Sequence, residues 1–209
     1  MTRVLRLIIS FSLVLLYWTA VGVVAQFPFC VIYLQDYSLA DWLLVLWHGM
    51  RLDISIAGYL TMLAGLLLTI GVWWKGRGWQ WMWNISFGIV SLASSLAYVS
   101  NLVLYGYWRF PLDNTPLLYI KTSPADAMAS MTTWQMVYVP LVIIAVAVAM
   151  FIPMAYIAIW TNGKGKANGD KPSLMQSIVS SIVMLLLSAA LIIPIRGGVD
   201  TGTNHTGSV

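Results

Sequence analysis

The sequence predicts an all-α polytopic membrane protein of about five transmembrane helices, with short interfacial helices on the outer side. Three observations carry that expectation. Of 209 residues, 60% are hydrophobic and only 9% are charged, against about 25% charged in an ordinary soluble domain. The mean hydropathy is +0.82, and a soluble core of this size has no room to hide so much apolar surface. The apolar residues also fall in runs of about 20, the length that crosses a bilayer core.

The first run covers residues 4–25 and follows Arg3 and Arg6. It exceeds the roughly 7–15 residues of a secretory signal core, so an uncleaved span is expected. Residues 27–37 read as a short connection. Leu39, Trp42, Leu43, Leu46, Trp47 and Met50 then recur at spacings of three and four, which predicts an amphipathic helix over 39–50. Ser38 followed by Asp41 has the capping-box pattern, with aspartate in place of the usual glutamate. Two tryptophans on that helix suit a position in the membrane interface; packing against other helices is the alternative.

The second span covers 54–74 and closes on Trp73-Trp74-Lys75-Gly76-Arg77-Gly78-Trp79. Aromatics at headgroup level, glycines for a tight turn and two cations predict a short cytoplasmic hairpin. The third span, 81–105, carries Ser91, Ser94, Ser95 and Ala97, small residues that let helices approach closely. Residues 106–131 form the longest polar connection, an outer loop. In it Pro111 and Pro116 bracket a turn-forming stretch, and Ser123-Pro124-Ala125-Asp126 reads as a helix start. The fourth span, 134–160, contains Pro140 and Pro153, tolerated as kinks. A loop over 161–172 holds Lys164, Lys166 and Lys171, and the fifth span covers 174–195. Residues 1–198 thus make one transmembrane domain, and 199–209 begin an extracytoplasmic linker.

Charge orients the chain. With the amino terminus in the cytoplasm, the inner side carries seven basic residues and one acid, the outer side four basic residues and six acids. Basic residues collect on the cytoplasmic side, so this orientation is expected, with the carboxyl terminus outside. The predicted location is a membrane bounding the cytoplasm; the resemblance given below implies the cytoplasmic (inner) membrane of a bacterium. The basic residues lie in short loops between apolar runs rather than in one patch, which argues against nucleic acid as a partner. The lone Cys30 excludes an internal disulfide and CxxC chemistry, and it reads as a passive apolar residue rather than a lipidation or redox site.

No transmembrane run holds a glutamate, lysine or arginine near its centre. Pumps and carriers usually keep such residues because a buried charge is expensive. The polar residues concentrate instead at the outer ends of the spans, in three segments. In Trp47-His48-Gly49-Met50-Arg51-Leu52-Asp53-Ile54-Ser55, His48 and Arg51 stand three apart and share a helix face. Together they suit a lipid phosphate, to which arginine offers a bidentate fork. The competing reading is an Arg51–aspartate pair that orders the helix junction. His48 has no partner at metal-ligand spacing. The second segment, Tyr105 through Arg109, Asp113 and Lys121, frames either a headgroup site, a docking surface or a solvated connection. The third is Pro194-Ile195-Arg196-Gly197-Gly198, where Arg196 reads as an interfacial anchor beside a helix cap. No nucleophile, base and oxyanion constellation is visible, so no catalytic residue is assigned.

These segments resemble the membrane part of bacterial lipoteichoic acid synthase-like proteins, the phosphoglycerol transferase group of the alkaline phosphatase/sulfatase superfamily. The resemblance lies in Gly49-Met50-Arg51-Leu52-Asp53-Ile54-Ser55, in Tyr105-Gly106-Tyr107 through Leu112-Asp113 to Lys121-Thr122-Ser123-Pro124, and in Pro194-Ile195-Arg196-Gly197-Gly198. It implies five helices followed by a large extracytoplasmic catalytic domain. In that family the domain binds a divalent metal and uses a threonine nucleophile to move phosphoglycerol from a membrane phospholipid; related enzymes move phosphoethanolamine. The metal ligands and nucleophile are then expected beyond residue 209, and no cofactor within these residues. The implied partners are membrane phospholipids and that catalytic domain, which this chain would anchor. The alternative is a stand-alone small membrane protein, a transport component or an assembly subunit.

Overall fold

The computed structural model describes residues 3–35, 37–74, 76–109, 132–163 and 173–195. Among the described residues the helices are α1 (Arg3–Tyr33), α2 (Leu39–Trp73), α3 (Arg77–Trp108), α4 (Thr133–Gly163), α5 (Leu174–Ala190) and the single turn α6 (Ile192–Ile195), with no strand. Helices α1 to α4 have 31, 35, 32 and 31 residues. All four are long and apolar enough to cross a membrane, and α5 is a shorter apolar helix of 17 residues. The chain is an all-α polytopic membrane protein.

Two compact units divide it. The first joins Met1–Ile85 to Met154–Val209, and the second is Ser86–Pro153.

Within the first unit, α1 and α2 pack antiparallel in a register readable from three contacts. Arg3 donates to the Val72 carbonyl, Gly22 lies against Asp53, and Gln26 lies against Gly49. In each pair the residue numbers add to 75. Helices in lipid gain little from excluding water, so close van der Waals packing and hydrogen bonds must hold them together. Helix α2 accordingly presents a stripe of small buried residues, Ala57, Gly58, Thr61, Ala64 and Gly65, at spacings of three and four. Helix α5 answers with Ser177, Ser180, Met184 and Ser188. A side chain added at Gly65 would overlap the Ser188 hydroxyl, and one added at Gly58 would come within 2.9 Å of Ile195. The α5 serines Ser180, Ser181 and Ser188 donate to the carbonyl four residues back, so they enter the interface with their polarity already satisfied. Trp73 Nε1 adds a bond to Ser181 Oγ at 2.9 Å.

The turn after α2 contains Gly76 at φ 116°, a left-handed conformation that favours glycine, as a tight hairpin here requires. Trp73 and Trp74 are exposed beside it. Trp79 and Trp83 turn inward and are buried, with rings 5.4 Å apart. Trp79 Nε1 donates to Leu67 O at 2.6 Å and Trp83 Nε1 to Met154 O at 2.9 Å. Indole N–H groups away from water need such acceptors.

Within the second unit, Ser91 and Ser95 are buried as their size suggests, and Ser95 Oγ donates to Ile143 O at 2.6 Å. Ala97 is exposed instead. Helix α4 starts with its own capping box: Gln135 N donates to Thr132 Oγ1 at 3.3 Å, and Thr132 N to Gln135 Oε1 at 2.9 Å. Pro140 lies inside this helix, and so does Pro153.

Four element boundaries differ from the expectation. Helix α1 continues through Pro28 to Tyr33 rather than ending near residue 25. The helix over 39–50 and the second span are one continuous helix, α2. Helix α3 reaches Trp108, so residues 106–108, expected in the outer loop 106–131, belong to the helix. The fifth span is interrupted, because Pro194 has no N–H to return to the Ala190 carbonyl. Leu191 there makes a tighter bond to Ser188 O at 3.3 Å before α6 begins.

Candidate functional site

The amino-terminal half of α2 carries the site. Its start is set by Ser38, whose backbone N–H donates to Asp41 Oδ2 at 3.0 Å while Asp41 N donates to Ser38 Oγ at 3.4 Å. This is the capping box the sequence predicts. Trp42 Nε1 then reaches back to Leu34 O at 2.8 Å and pins the α1–α2 connection.

Rotation of α2 about its axis is fixed by a reciprocal arrangement with α1. Asp53 is 6% exposed and accepts a hydrogen bond from Gln26 Nε2. A Cβ on Gly22 would sit 2.5 Å from Asp53 Cγ, and a Cβ on Gly49 would sit 2.5 Å from Gln26 Nε2. Each helix therefore offers one glycine and, four residues on, one polar side chain. The glycine of each receives the polar group of the other. Gln26 Oε1 is buried in this contact without a hydrogen-bond partner.

With Asp53 turned inward, Arg51 lies about 200° away around the helix at 3.6 residues per turn, on the opposite side. The structure therefore does not pair Arg51 with Asp53. His48 and Arg51 are both exposed, as are Leu44, Trp47 and Leu52 around them. His48 Nδ1 lies 2.8 Å from Leu44 O within the same helix, which leaves Nε2 facing outward. Arg51 has its backbone carbonyl bonded by Ser55 Oγ at 3.1 Å. Trp47, His48 and Arg51 thus form an apolar and cationic patch on one face of a membrane helix.

Depth along the helix adds to this. From Trp73 back to Asp53 is a rise of about 30 Å at 1.5 Å per residue, and from Arg6 to Gln26 is the same. That matches the thickness of a bilayer core. Were Trp73 and Arg6 to mark one edge of the hydrocarbon, the Asp53–Gln26 contact would fall near the other edge, with His48 and Arg51 at headgroup level. A guanidinium there can donate two parallel hydrogen bonds to phosphate oxygens.

The remaining predicted residues are separate. Tyr105 and Arg109 belong to the second unit, one helical turn apart at the end of α3. Arg109 adopts φ 56° and its N–H donates to Tyr105 O at 2.9 Å, a left-handed helix cap in which its side chain is exposed. In the same unit Tyr107 Oη donates to Gln135 Oε1 at 2.6 Å. Asp113, Lys121 and Arg196, together with the turn at Pro111–Pro116 and the helix start at Ser123, lie outside the described residues. Cys30 is fully buried. The sequence reading did not single out Gly22, Gln26 or Gly49; the signal for them is the repeated glycine-then-polar spacing of four, in Gly22/Gln26 and Gly49/Asp53. Among the described residues no group of three or more His, Cys, Asp or Glu is placed to hold a metal.

No known protein family matches the chain, and no curated protein or solved structure matches it.

Proposed function

We propose that this chain is the membrane anchor of a sulfatase-like phosphoglycerol or phosphoethanolamine transferase, and that it holds a lipid headgroup at the outer leaflet for an extracytoplasmic catalytic domain. The observation that carries this reading is the exposed Trp47–His48–Arg51 face of α2, held outward by the buried Asp53–Gln26 contact. A cation at headgroup depth whose fork no described residue uses is suited to phosphate. The segment Gly49–Ser55 is also one of the three segments that resemble the transferase family.

The test has two arms. Native mass spectrometry of the purified chain with phosphatidylglycerol is expected to show retained lipid, and His48→Ala with Arg51→Ala to lose most of it at unchanged thermal stability. Equal retention by the double variant overturns the headgroup role. Reading the coding frame beyond Val209 is expected to show a sulfatase-like domain with metal ligands and a threonine nucleophile. A native stop codon with no such sequence downstream overturns the anchoring role.

A further inference from the structure

At the opposite end of the first unit, where α1 begins, a small cavity of about 30 Å³ is lined by Arg3, Arg6, Gly71, Trp79, Thr161 and Asn162, among others. By the same measure a water molecule needs roughly 10–15 Å³, so there is room for about two oxygen-sized atoms. Most neutral donors around it are engaged within the protein. Trp79 Nε1 is bonded to Leu67 O at 2.6 Å. The Thr161 hydroxyl lies 2.7 Å from Ser10 Oγ and 2.7 Å from Ile157 O. Asn162 Nδ2 donates to Gly76 O at 3.3 Å and ties the end of α4 to the α2–α3 turn.

The arginines differ. Arg3 folds back into the bundle instead of reaching outward, and its Nη2 donates to Val72 O at 2.5 Å. Its Nη1 is buried with no hydrogen-bond partner. Arg6, half-buried on the same wall, has no side-chain partner among the described residues. The carboxylates among the described residues are Asp41 and Asp53, both on the other half of α2. Asp53 is about 22 Å from Leu68 along the helix at 1.5 Å per residue. Two guanidiniums therefore share a cavity with no protein counter-charge from the described residues. A buried N–H left unpaired forfeits the hydrogen bond it made to water, and two like charges repel until an anion sits between them.

We infer that Arg3 and Arg6 form an oxyanion site that takes a phosphate group, with one or two of its oxygens entering the cavity and the remainder staying at the membrane face. A lipid headgroup and a free phosphate present the same oxygens to this fork. The site is independent of the headgroup patch on α2, so the variants are made in a background carrying His48→Ala and Arg51→Ala.

In that background the full chain is titrated with phosphatidylglycerol, with a glucosyl diacylglycerol that lacks phosphate, and with inorganic phosphate, by native mass spectrometry and thermal midpoint. Phosphatidylglycerol is expected to bind and the phosphate-free glycolipid not to. Competition by millimolar inorganic phosphate assigns the site to a soluble phosphate, and its failure to compete assigns it to the lipid; either result supports the site. Arg6→Gln is expected to weaken binding about tenfold or more, the scale of one charge-assisted bond. The Arg6 head makes no hydrogen bond or ion pair with a described residue, so this variant is expected to fold normally. Arg3→Lys keeps the charge but loses the fork, and is expected to weaken binding less than Arg6→Gln. Arg77→Gln, an exposed cation outside the cavity, is the unaffected control. Equal binding by Arg6→Gln, or no response to either phosphate probe, overturns the inference.

Discussion

Replacing Asp53 by asparagine should leave the fold as stable as the native chain or make it more stable, although Asp53 is a buried carboxylate. In the native contact Gln26 Nε2 donates to the carboxylate, and Gln26 Oε1 is buried without a donor. Asparagine keeps an acceptor for Nε2 and adds an N–H for Oε1, so one bond becomes a reciprocal pair. The loss is the charge assistance on a single hydrogen bond, about 1 kcal/mol. The gains are an orphaned acceptor satisfied, about 1–3 kcal/mol, and a desolvated charge removed, several kcal/mol per ion. Gln26→Leu does the reverse: it leaves a buried carboxylate alone, at a cost of about 3–5 kcal/mol. Gln26→Leu combined with Asp53→Leu should recover most of that loss, since replacing both partners with apolar groups is nearly neutral. Reversible unfolding in mixed micelles gives these free energies, and Asp53→Leu alone completes the cycle that yields the coupling between the two sites. The reasoning fails if Asp53→Asn falls as far as Gln26→Leu, or if the double variant is no better than Gln26→Leu. Either result would mean that the carboxylate is held by groups other than Gln26.

Gly65→Leu should destabilise the chain by about 3 kcal/mol or more, since the added atoms overlap Ser188 and meet Phe11 at 3.0 Å in a close-packed contact; the same unfolding assay reads it. Gly88→Ala, with nothing within 4 Å of its new Cβ, should be neutral or stabilise by up to about 1 kcal/mol through helix propensity. Ser38→Ala should cost about 1 kcal/mol locally, seen as faster amide exchange in the first turn of α2 with a nearly unchanged global midpoint. A compartment-sensitive reporter fused after Val209 should be active outside, and one placed within residues 161–172 should be active inside. The opposite pattern would invert the orientation and remove the outer-leaflet role.

What could be read from the sequence was whatever a single helix determines by itself. The apolar runs mark four long helices because lipid demands about 20 such residues from each one separately. The Ser38–Asp41 box is likewise local, three residues of one chain segment. Apart from the break before Pro194, which is local, the errors are cases where a second helix decides. Phe27-Pro28 looks like the end of a span, since proline removes one ladder bond. Yet α1 runs on to Tyr33 because α2 extends alongside it, with Cys30 fully buried there. Trp79 looks like an outward-facing residue and instead turns inward to the Leu67 carbonyl. Hydropathy treats the residues around 39–53 as too polar to span, yet it cannot see that they continue the same helix.

The same distinction governs the candidate site. His48 and Arg51 were recognisable because their three-residue spacing lies within one helix. Which way they face was not, because α2 has apolar residues on several sides and its own pattern does not choose a rotation. The choice is made by Asp53, the one acidic residue in the middle of a described helix, and by a glycine four residues before it. Turning α2 by half a circle would bring Arg51 against α1 and put Asp53 in lipid, leaving the Gln26 amide without an acceptor. A buried polar pair adds little net stability over a good apolar contact, but it makes the wrong rotation costly. The geometry thus gives Asp53 a positioning role: it aims the cationic face of α2 outward without touching what that face would bind. Asp53→Asn therefore separates two roles, since it should preserve both stability and the exposure of Arg51. If headgroup retention were lost in that variant while Arg51 stayed exposed, the carboxylate charge itself would be part of the site.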